Sequence, residues 1–300
     1  MERTRILVLL ILALSLGQFV TVSVTAEVLA PPPLSPQTGA NTQYGNSWLM
    51  LKRISDSSGS PKTEDGLGLN YIYDLGGDFS LFGWQNTTIL GMVRMMFISE
   101  QPKDWSTNTW LIDSSAVVIE QYIRVGYTFS NGTWVSLGFH HNSKHDLDRT
   151  RRRTPIHDTL RLDVQWPIIQ GDWGFSPWFL GLSSRMEYAL EPVFQFDAPE
   201  PYKGGLFLDA DFQPVQLPNG VDLFTSGRLS VIRNEVQETR FTDVDWLIRG
   251  GLRYQRPKGG VSLFGEIHRL HDDWLTRDSI GPERPVEPWT LVSLGILIWR

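Results

Sequence analysis

The chain has 300 residues, enough for one large domain or two ordinary ones, and carries 27 Lys and Arg against 33 Asp and Glu. This mildly acidic balance argues against a dedicated nucleic-acid-binding protein, which normally has a strong excess of basic residues. The chain contains no cysteine, which excludes a disulfide framework and thiol chemistry.

The first 26 residues have the pattern of an export signal. Arg3 and Arg5 form a positive region, an apolar stretch follows at 6–16, and small or modest side chains lead up to Ala26. We expect cleavage near Ala26 rather than a retained anchor, because the apolar run is short for a membrane span. Residues 27–46 form a Pro-rich linker, which we expect to be stiff, extended and periplasmic.

From residue 47 onwards, apolar and polar residues alternate with the period of strands that have two unlike faces. In segment 160–166, for example, Leu, Leu, Val and Trp share one face, and Arg, Asp and Gln share the other. The pattern predicts about twelve strands, an even number that is typical of single-chain bacterial barrels. We place them at 47–54, 66–75, 82–98, 115–129, 133–143, 157–168, 173–190, 204–213, 220–234, 243–256, 260–271 and 287–299.

The connections between these predicted strands alternate in length. Short turns are predicted at 76–78, 130–132, 169–172 and 257–259, and long polar loops at 55–65, 99–114, 144–156, 191–203, 235–242 and 272–286. Short periplasmic turns that alternate with long external loops are typical of membrane barrels, whereas a soluble sandwich has no reason to produce them.

Tryptophans fall at both ends of the predicted strands, as expected for the two aromatic girdles of a membrane barrel. Those towards the short turns are Trp84, Trp134, Trp166, Trp173 and Trp299, and those near the long loops are Trp105, Trp110, Trp274 and Trp289. We therefore predict an all-β transmembrane antiparallel barrel over residues 47–300. We expect it to lie in the cell outer membrane, to be inserted by the outer-membrane assembly machinery and to contact membrane lipids.

The predicted interior of this barrel is heavily charged, with mixed signs. Its charged residues are Arg94, Glu120, Arg124, Arg161, Asp163, Arg185, Glu187, Asp209, Asp211, Arg228, Arg249, Arg253 and Glu266. At twelve strands, the interior is intermediate between a small filled barrel and a porin channel. A network of paired acids and bases favours a plugged interior, and a water-filled channel lined by the same residues is the alternative.

The groups most able to carry chemistry lie at the end of the predicted strand 133–143. Counting by twos from the apolar Leu137 places His141 and Ser143 on the lipid-facing side, and the same count on the returning strand places Asp158 there. A hydroxyl, an imidazole and a carboxylate within reach are the parts of a nucleophilic triad. Ser143 would be the nucleophile, His141 its base and Asp158 the group that orients the imidazole.

Two other interpretations of this segment stay open. The polar residues could form a collar where the strand leaves the membrane. They could also bind a metal through His140, His141, His145, Asp146 and Asp148, although their spacing matches no recognised zinc signature.

The motif His141-Asn142-Ser143 resembles that of the outer-membrane phospholipase A family, and the lipid A deacylase barrels use a similar His-x-Ser. The resemblance covers residues 138–166 and the strand count. It implies a twelve-stranded barrel whose His and Ser project into the outer leaflet and hydrolyse lipid esters, of phospholipid or of lipid A. The family's third residue is an Asn on the next strand, and Asp158 or His157 stands in its place here.

The same resemblance implies calcium as a cofactor and a calcium-driven homodimer. The family motif, however, continues with Asn-Gly-Arg, where this chain has Lys144-His145-Asp146. The alternative to a lipid esterase is a non-enzymatic barrel, either a channel or a structural surface protein.

Overall fold

The computed structural model describes residues 47–58, 69–100, 114–146, 156–190, 202–236, 239–256, 259–270 and 289–300, and the predicted signal segment and linker lie outside them. Within these ranges the chain forms thirteen β-strands and one short 3₁₀ turn, Pro218–Gly220. The strands are β1 Ser47–Ser58, β2 Leu69–Trp84, β3 Thr87–Glu100, β4 Ser114–Thr128, β5 Trp134–Asp146, β6 Ile156–Gln165, β7 Ile169–Asp172, β8 Pro177–Ala189, β9 Tyr202–Leu217, β10 Val221–Val236, β11 Thr239–Arg256, β12 Gly259–Leu270 and β13 Trp289–Trp299.

The strands form a single antiparallel sheet that closes on itself. Neighbours in the sheet follow chain order, and β1 pairs with β13. β6 and β7 are two parts of one interrupted strand, because both pair with β8. Pro167 lies in the interruption, and a proline lacks the N–H that a ladder position would need. The closed sheet is therefore a twelve-stranded barrel, as the sequence predicts.

The outer wall of the barrel is apolar. Ile123 and Val125 are each 52% exposed, and Leu263 and Leu294 are exposed to a greater extent. Soluble monomers rarely expose a contiguous apolar surface of this kind, whereas a wall that faces lipid requires one. Exposed rings mark the short-turn end of this wall: Phe82, Trp84, Tyr127, Phe129, Trp173 and Phe175. No helix in the described part of the chain is long and apolar enough to cross a membrane.

Two tryptophans predicted for the girdles lie inside the barrel instead. Trp134 and Trp299 are buried, and their rings cover Gly126 and Gly260 on neighbouring strands. A glycine opposite a large ring leaves room for the ring to lie flat against the sheet, and the ring in turn shields the bare backbone. The side chains of Trp105, Trp110, Trp274 and Trp289 lie outside the described residues.

Three of the predicted connections were wrong. Residues 76–78 belong to β2, and the turn to β3 comes at Gln85, whose φ is 52°. Gly76 is needed within the strand because a Cβ there would lie 2.4 Å from the Trp48 ring. Residues 169–172 form β7, with their turn at 173–176, and residues 235–242 lie mostly in the β10–β11 hairpin, where Val236 pairs with Thr239.

The interior of the barrel is polar and its charges are paired. Twelve of the thirteen predicted interior residues are buried, and the thirteenth, Arg228, is 21% exposed in its side chain and bonds Asp209 at 2.6 Å. Arg94 bonds both Asp74 and Glu120, at 2.7 and 2.8 Å. Further pairs are Arg161–Asp163, Arg185–Glu187, Arg249–Glu266, Lys52–Glu266 and Arg253–Asp211.

Aromatic rings fill space between these pairs. The guanidinium of Arg185 lies 3.8 Å from the centre of the Phe207 ring, and those of Arg253 and Arg249 lie over Phe224 and Phe264. A cation over a ring gains electrostatic attraction and also occupies volume that water would otherwise fill. In the described part of the barrel, paired charges and aromatic rings thus occupy the interior.

We expect this filled interior to conduct ions poorly. The refolded protein in a planar lipid bilayer should give no large, stable conductance steps, because paired side chains occupy the cross-section that a channel would leave to water. A general porin recorded in the same bilayers is the positive control. Long-lived, voltage-tolerant steps of porin size would contradict the filled interior and favour a channel.

Candidate functional site

The candidate site lies where β5 and β6 reach the barrel end with the long connections. In the sheet register, His141 on β5 is opposite Asp158 on β6 and opposite Gln121 on β4. The next position along β5 on the same face is Ser143, which has Ile156 of β6 and Ile119 of β4 as its register partners. The site is therefore built from three adjacent strands.

The alternation of β5 fixes which groups face outwards. Leu137 and Phe139 are 50% and 43% exposed on the apolar outer wall. His140, which lies between Phe139 and His141 in the chain, is buried in the interior. His141 and Ser143 continue the outward series, because side chains two residues apart share a face of a strand. The His141 side chain keeps 30% of its surface exposed, while Ser143 is covered, at 3%.

The polar groups on this face form two contacting pairs. Nδ1 of His141 lies 2.7 Å from Oδ1 of Asp158. Oγ of Ser143 lies 3.1 Å from Nε2 of His145, the next outward residue along β5. The structure thus brings His141 and Asp158 together as the sequence predicts, and it joins Ser143 to His145 rather than to His141.

The contact of Asp158 has a chemical consequence for His141. If the Asp158 carboxylate accepts the Nδ1–H proton, the Nε2 atom of the ring is left to exchange protons with a substrate or nucleophile. The backbone of Asp158 is held in the sheet, since its carbonyl accepts a hydrogen bond of 2.8 Å from Leu190 N–H. An imidazole in a fixed orientation is what proton transfer to a reacting group requires.

The sequence reasoning did not include two polar members of this surface, His145 and Gln121, in the candidate triad. His145 was considered only as a metal ligand, although counting by twos from Ser143 places it on the outer face. Gln121 is an exposed polar residue on an apolar wall and lies beside His141 in the register. A polar side chain facing lipid is costly unless it has a partner or a use, and this was the available signal.

The predicted metal candidates are not brought together. His140 faces the interior, where its ring nitrogens lie 3.6 Å from Glu187 and 3.8 Å from Glu120, whereas His145 lies on the outer wall. The side chain of Asp146 lies outside the described residues. Among the residues that the structure describes, no group of three His, Asp or Glu is arranged to hold a metal ion.

The surroundings of the two pairs are apolar. Phe139 and Leu160 are register partners on the outer wall and are 43% and 44% exposed, and Tyr188 beside Leu160 is 64% exposed. These side chains continue from the polar pairs down the lipid-facing wall. The polar pairs therefore lie directly beside an apolar part of the lipid-facing wall.

Comparison with known proteins gives only similar folds. No family model matches the chain, and no curated protein matches it. The solved structures that it resembles include the Salmonella typhi outer membrane phospholipase dimer with bound calcium, which is 14% identical with a TM-score of 0.47 over 84% of this chain and 90% of that one. Outer membrane phospholipase A from Escherichia coli is also 14% identical, with a TM-score of 0.47 over 85% and 96% of the two chains. LpxR from Salmonella typhimurium is 8% identical, with a TM-score of 0.44 over 84% and 99%.

Proposed function

We propose that this protein is a lipid esterase of the outer membrane that hydrolyses acyl esters in the outer leaflet. Ser143 is the nucleophile, His141 is the base and Asp158 orients the His141 ring. The observation that carries the proposal is the 2.7 Å contact between His141 and Asp158 on the lipid-facing wall. Ser143, two residues after His141, is the next side chain on the same face of that strand.

The location of these groups supports a lipid substrate. A buried or lipid-facing ion pair is expensive to maintain, and a surface with only a structural role would be better served by apolar residues. Here an imidazole and a carboxylate meet on a wall whose exposed neighbours, Phe139 and Leu160, are apolar. An ester held at the membrane surface would come within reach of this pair without leaving the lipid phase.

The chemical class of the substrate follows from the same geometry. Phospholipids and lipid A both carry acyl chains joined through oxygen esters, and both would present them at the membrane surface. The apolar wall beside the site offers contact area for the chain and makes no distinction between headgroups. The substrate is therefore an acyl ester of a membrane lipid, and the assay below separates the two lipids.

The second candidate, a non-enzymatic channel, has less support. A channel needs an open interior, whereas the described interior residues form paired charges with rings between them. A structural surface barrel would fit this interior, but it gives no reason for the His141–Asp158 contact on the outer wall.

The test is release of fatty acid by the full-length protein refolded in detergent. We expect release from phospholipid or from lipopolysaccharide in mixed micelles, measured separately for each lipid and with calcium or a chelator present. Calcium dependence would support the cofactor that the family resemblance implies, and activity in chelator would exclude a requirement for it. A folded wild-type protein that releases no fatty acid from either lipid would contradict the proposed function.

A further inference from the structure

We propose that His145 is a further catalytic residue, and that two histidines divide the proton transfers of the esterase reaction. This inference rests on the proposed function as a serine esterase and changes one assignment within it, because His145 replaces His141 as the base for Ser143. His145 takes the proton of Ser143, and His141 serves the leaving group and the attacking water. The two pairs on the outer wall, Ser143 with His145 and His141 with Asp158, are the arrangement from which we infer it.

The hydroxyl of Ser143 has little choice of partner. The side chain is only 3% exposed, so bulk water does not compete for its hydrogen bond. Its register partners on both sides are isoleucines, Ile119 and Ile156, which offer no polar side-chain atom. Nε2 of His145 lies 3.1 Å from this hydroxyl, and in the tautomer that is protonated on Nδ1 it accepts the hydroxyl proton.

A catalytic base must lie within hydrogen-bond reach of the proton that it removes, at about 2.6–3.2 Å. His145 meets this condition for Ser143, whereas the structure shows no hydrogen bond between Ser143 and His141, whose contact is with Asp158. The groups that face the two imidazoles from the neighbouring strands, within the described residues, are Asp158 on β6 and the uncharged Val117 and Gln121 on β4. Asp158 is thus the charged partner of His141, and His145 has an apolar register neighbour.

The division of labour gives a balanced reaction. In acylation, Ser143 Oγ bonds to the ester carbonyl carbon and its proton passes to Nε2 of His145. The bond from the carbonyl carbon to the alkoxy oxygen then breaks, and the leaving alkoxide takes a proton from Nε2 of His141. This step requires that Nε2 of His141 carries a proton when the alkoxide leaves. In deacylation, neutral His141 takes a proton from the attacking water, and His145 returns its proton to Ser143 as the acyl bond breaks. Both imidazoles end as they began.

An activated ester separates the two roles. A p-nitrophenyl ester of a fatty acid leaves as p-nitrophenolate, which needs no proton, so its acylation step requires only the base for Ser143. His145→Gln should lose the pre-steady-state burst of p-nitrophenolate, with acylation slowed by about 10²-fold or more. His141→Gln should keep the burst and then stall, so that intact-mass measurement finds the acyl adduct accumulating on Ser143. Imidazole added to His145→Ala should partly restore the burst.

The control is the variant His140→Gln. His140 is next to His141 in the chain but faces the interior of the barrel. Each variant is checked for folding by the difference in gel mobility between unheated and boiled samples. Loss of the burst in His141→Gln, with or without its loss in His145→Gln, would overturn the division of roles. A retained burst in His145→Gln would also overturn it. An unacylated wild type, or equal acylation of wild type and Ser143→Ala, would overturn the proposed function itself.

Discussion

Replacing Ser143 by alanine should abolish fatty-acid release while leaving the barrel folded. The substitution removes the nucleophile, and members of a catalytic unit contribute far more together than separately, so we expect a fall on the order of 10³-fold or more. Folding should survive because Ser143 lies between two isoleucines in the register and its hydroxyl bonds only one side chain of the described residues, His145. The measurement is fatty-acid release from the lipid that the wild type prefers.

Ser136→Ala is the matched control for this experiment. Ser136 lies on the same strand but faces the interior, where its hydroxyl bonds Asp163 at 3.3 Å. The control should retain activity, although losing one buried hydrogen bond should cost about 1 kcal/mol of stability. The rate of fatty-acid release by Asp158→Asn should lie between those of Ser143→Ala and Ser136→Ala. The amide oxygen can still accept a hydrogen bond from the His141 ring, but it carries no charge. Equal rates for Ser143→Ala and wild type would remove the serine from the mechanism.

The largest loss of stability is expected from Asp163→Leu. The Asp163 carboxylate accepts hydrogen bonds from Tyr122 at 2.6 Å and from Arg161 at 2.9 Å, and it lies 3.6 Å from Arg124. Removing the acid leaves buried cations with fewer partners, which costs about 3–5 kcal/mol when one member of a buried pair is lost. Urea unfolding of the refolded protein, followed by tryptophan fluorescence, should show the midpoint fall accordingly.

Arg240→Gln provides the comparison for a surface pair. Arg240 bonds Glu235 at 2.9 Å in the β10–β11 hairpin, but its side chain is 61% exposed. Exposed ion pairs contribute little, so the urea midpoint of this variant should stay close to that of the wild type. An unchanged midpoint for Asp163→Leu would mean that the interior network does not hold the barrel together.

Much of the barrel could be predicted from sequence because a strand has an exact side-chain period of two. That period placed the interior charges such as Arg161 and Asp163 correctly, and it also placed His141 and Asp158 on one outer face. The number of strands followed from counting alternating segments. These inferences need only local sequence, since each position's face is set by the pleat of its own strand.

The positions of turns could not be predicted as well. Gly76-Gly77-Asp78 has the composition of a turn, yet it lies within β2 because Trp48 on the neighbouring strand needs the space above Gly76. The polar stretch at 235–242 has the composition of a loop, but it extends a hairpin whose ladder continues to Val236 and Thr239. In both cases the deciding contact comes from another strand.

The pairing of Ser143 with His145 was beyond the same reasoning. Parity places His141, Ser143 and His145 on one face but does not say towards which neighbour the serine hydroxyl turns. That choice depends on the apolar register partners of Ser143 and on the position of the His145 ring, whose Nε2 lies 3.1 Å from the hydroxyl. Neither can be read from the His-x-Ser motif alone.

The seam between β1 and β13 has a consequence for how the molecule is assembled. Ser47 and Arg300 exchange two backbone hydrogen bonds of 2.9 Å, although they lie at opposite ends of the described chain. Every other strand pairing joins neighbours along the chain, so those hairpins can form locally and early. The β1–β13 pairing alone must close a loop of nearly the whole described chain. We therefore expect it to be the slowest strand pairing to form during folding. The same adjacency makes the barrel a ring that could be circularly permuted, with residue 300 joined to residue 47 and new ends at 237–238, without losing a strand pairing.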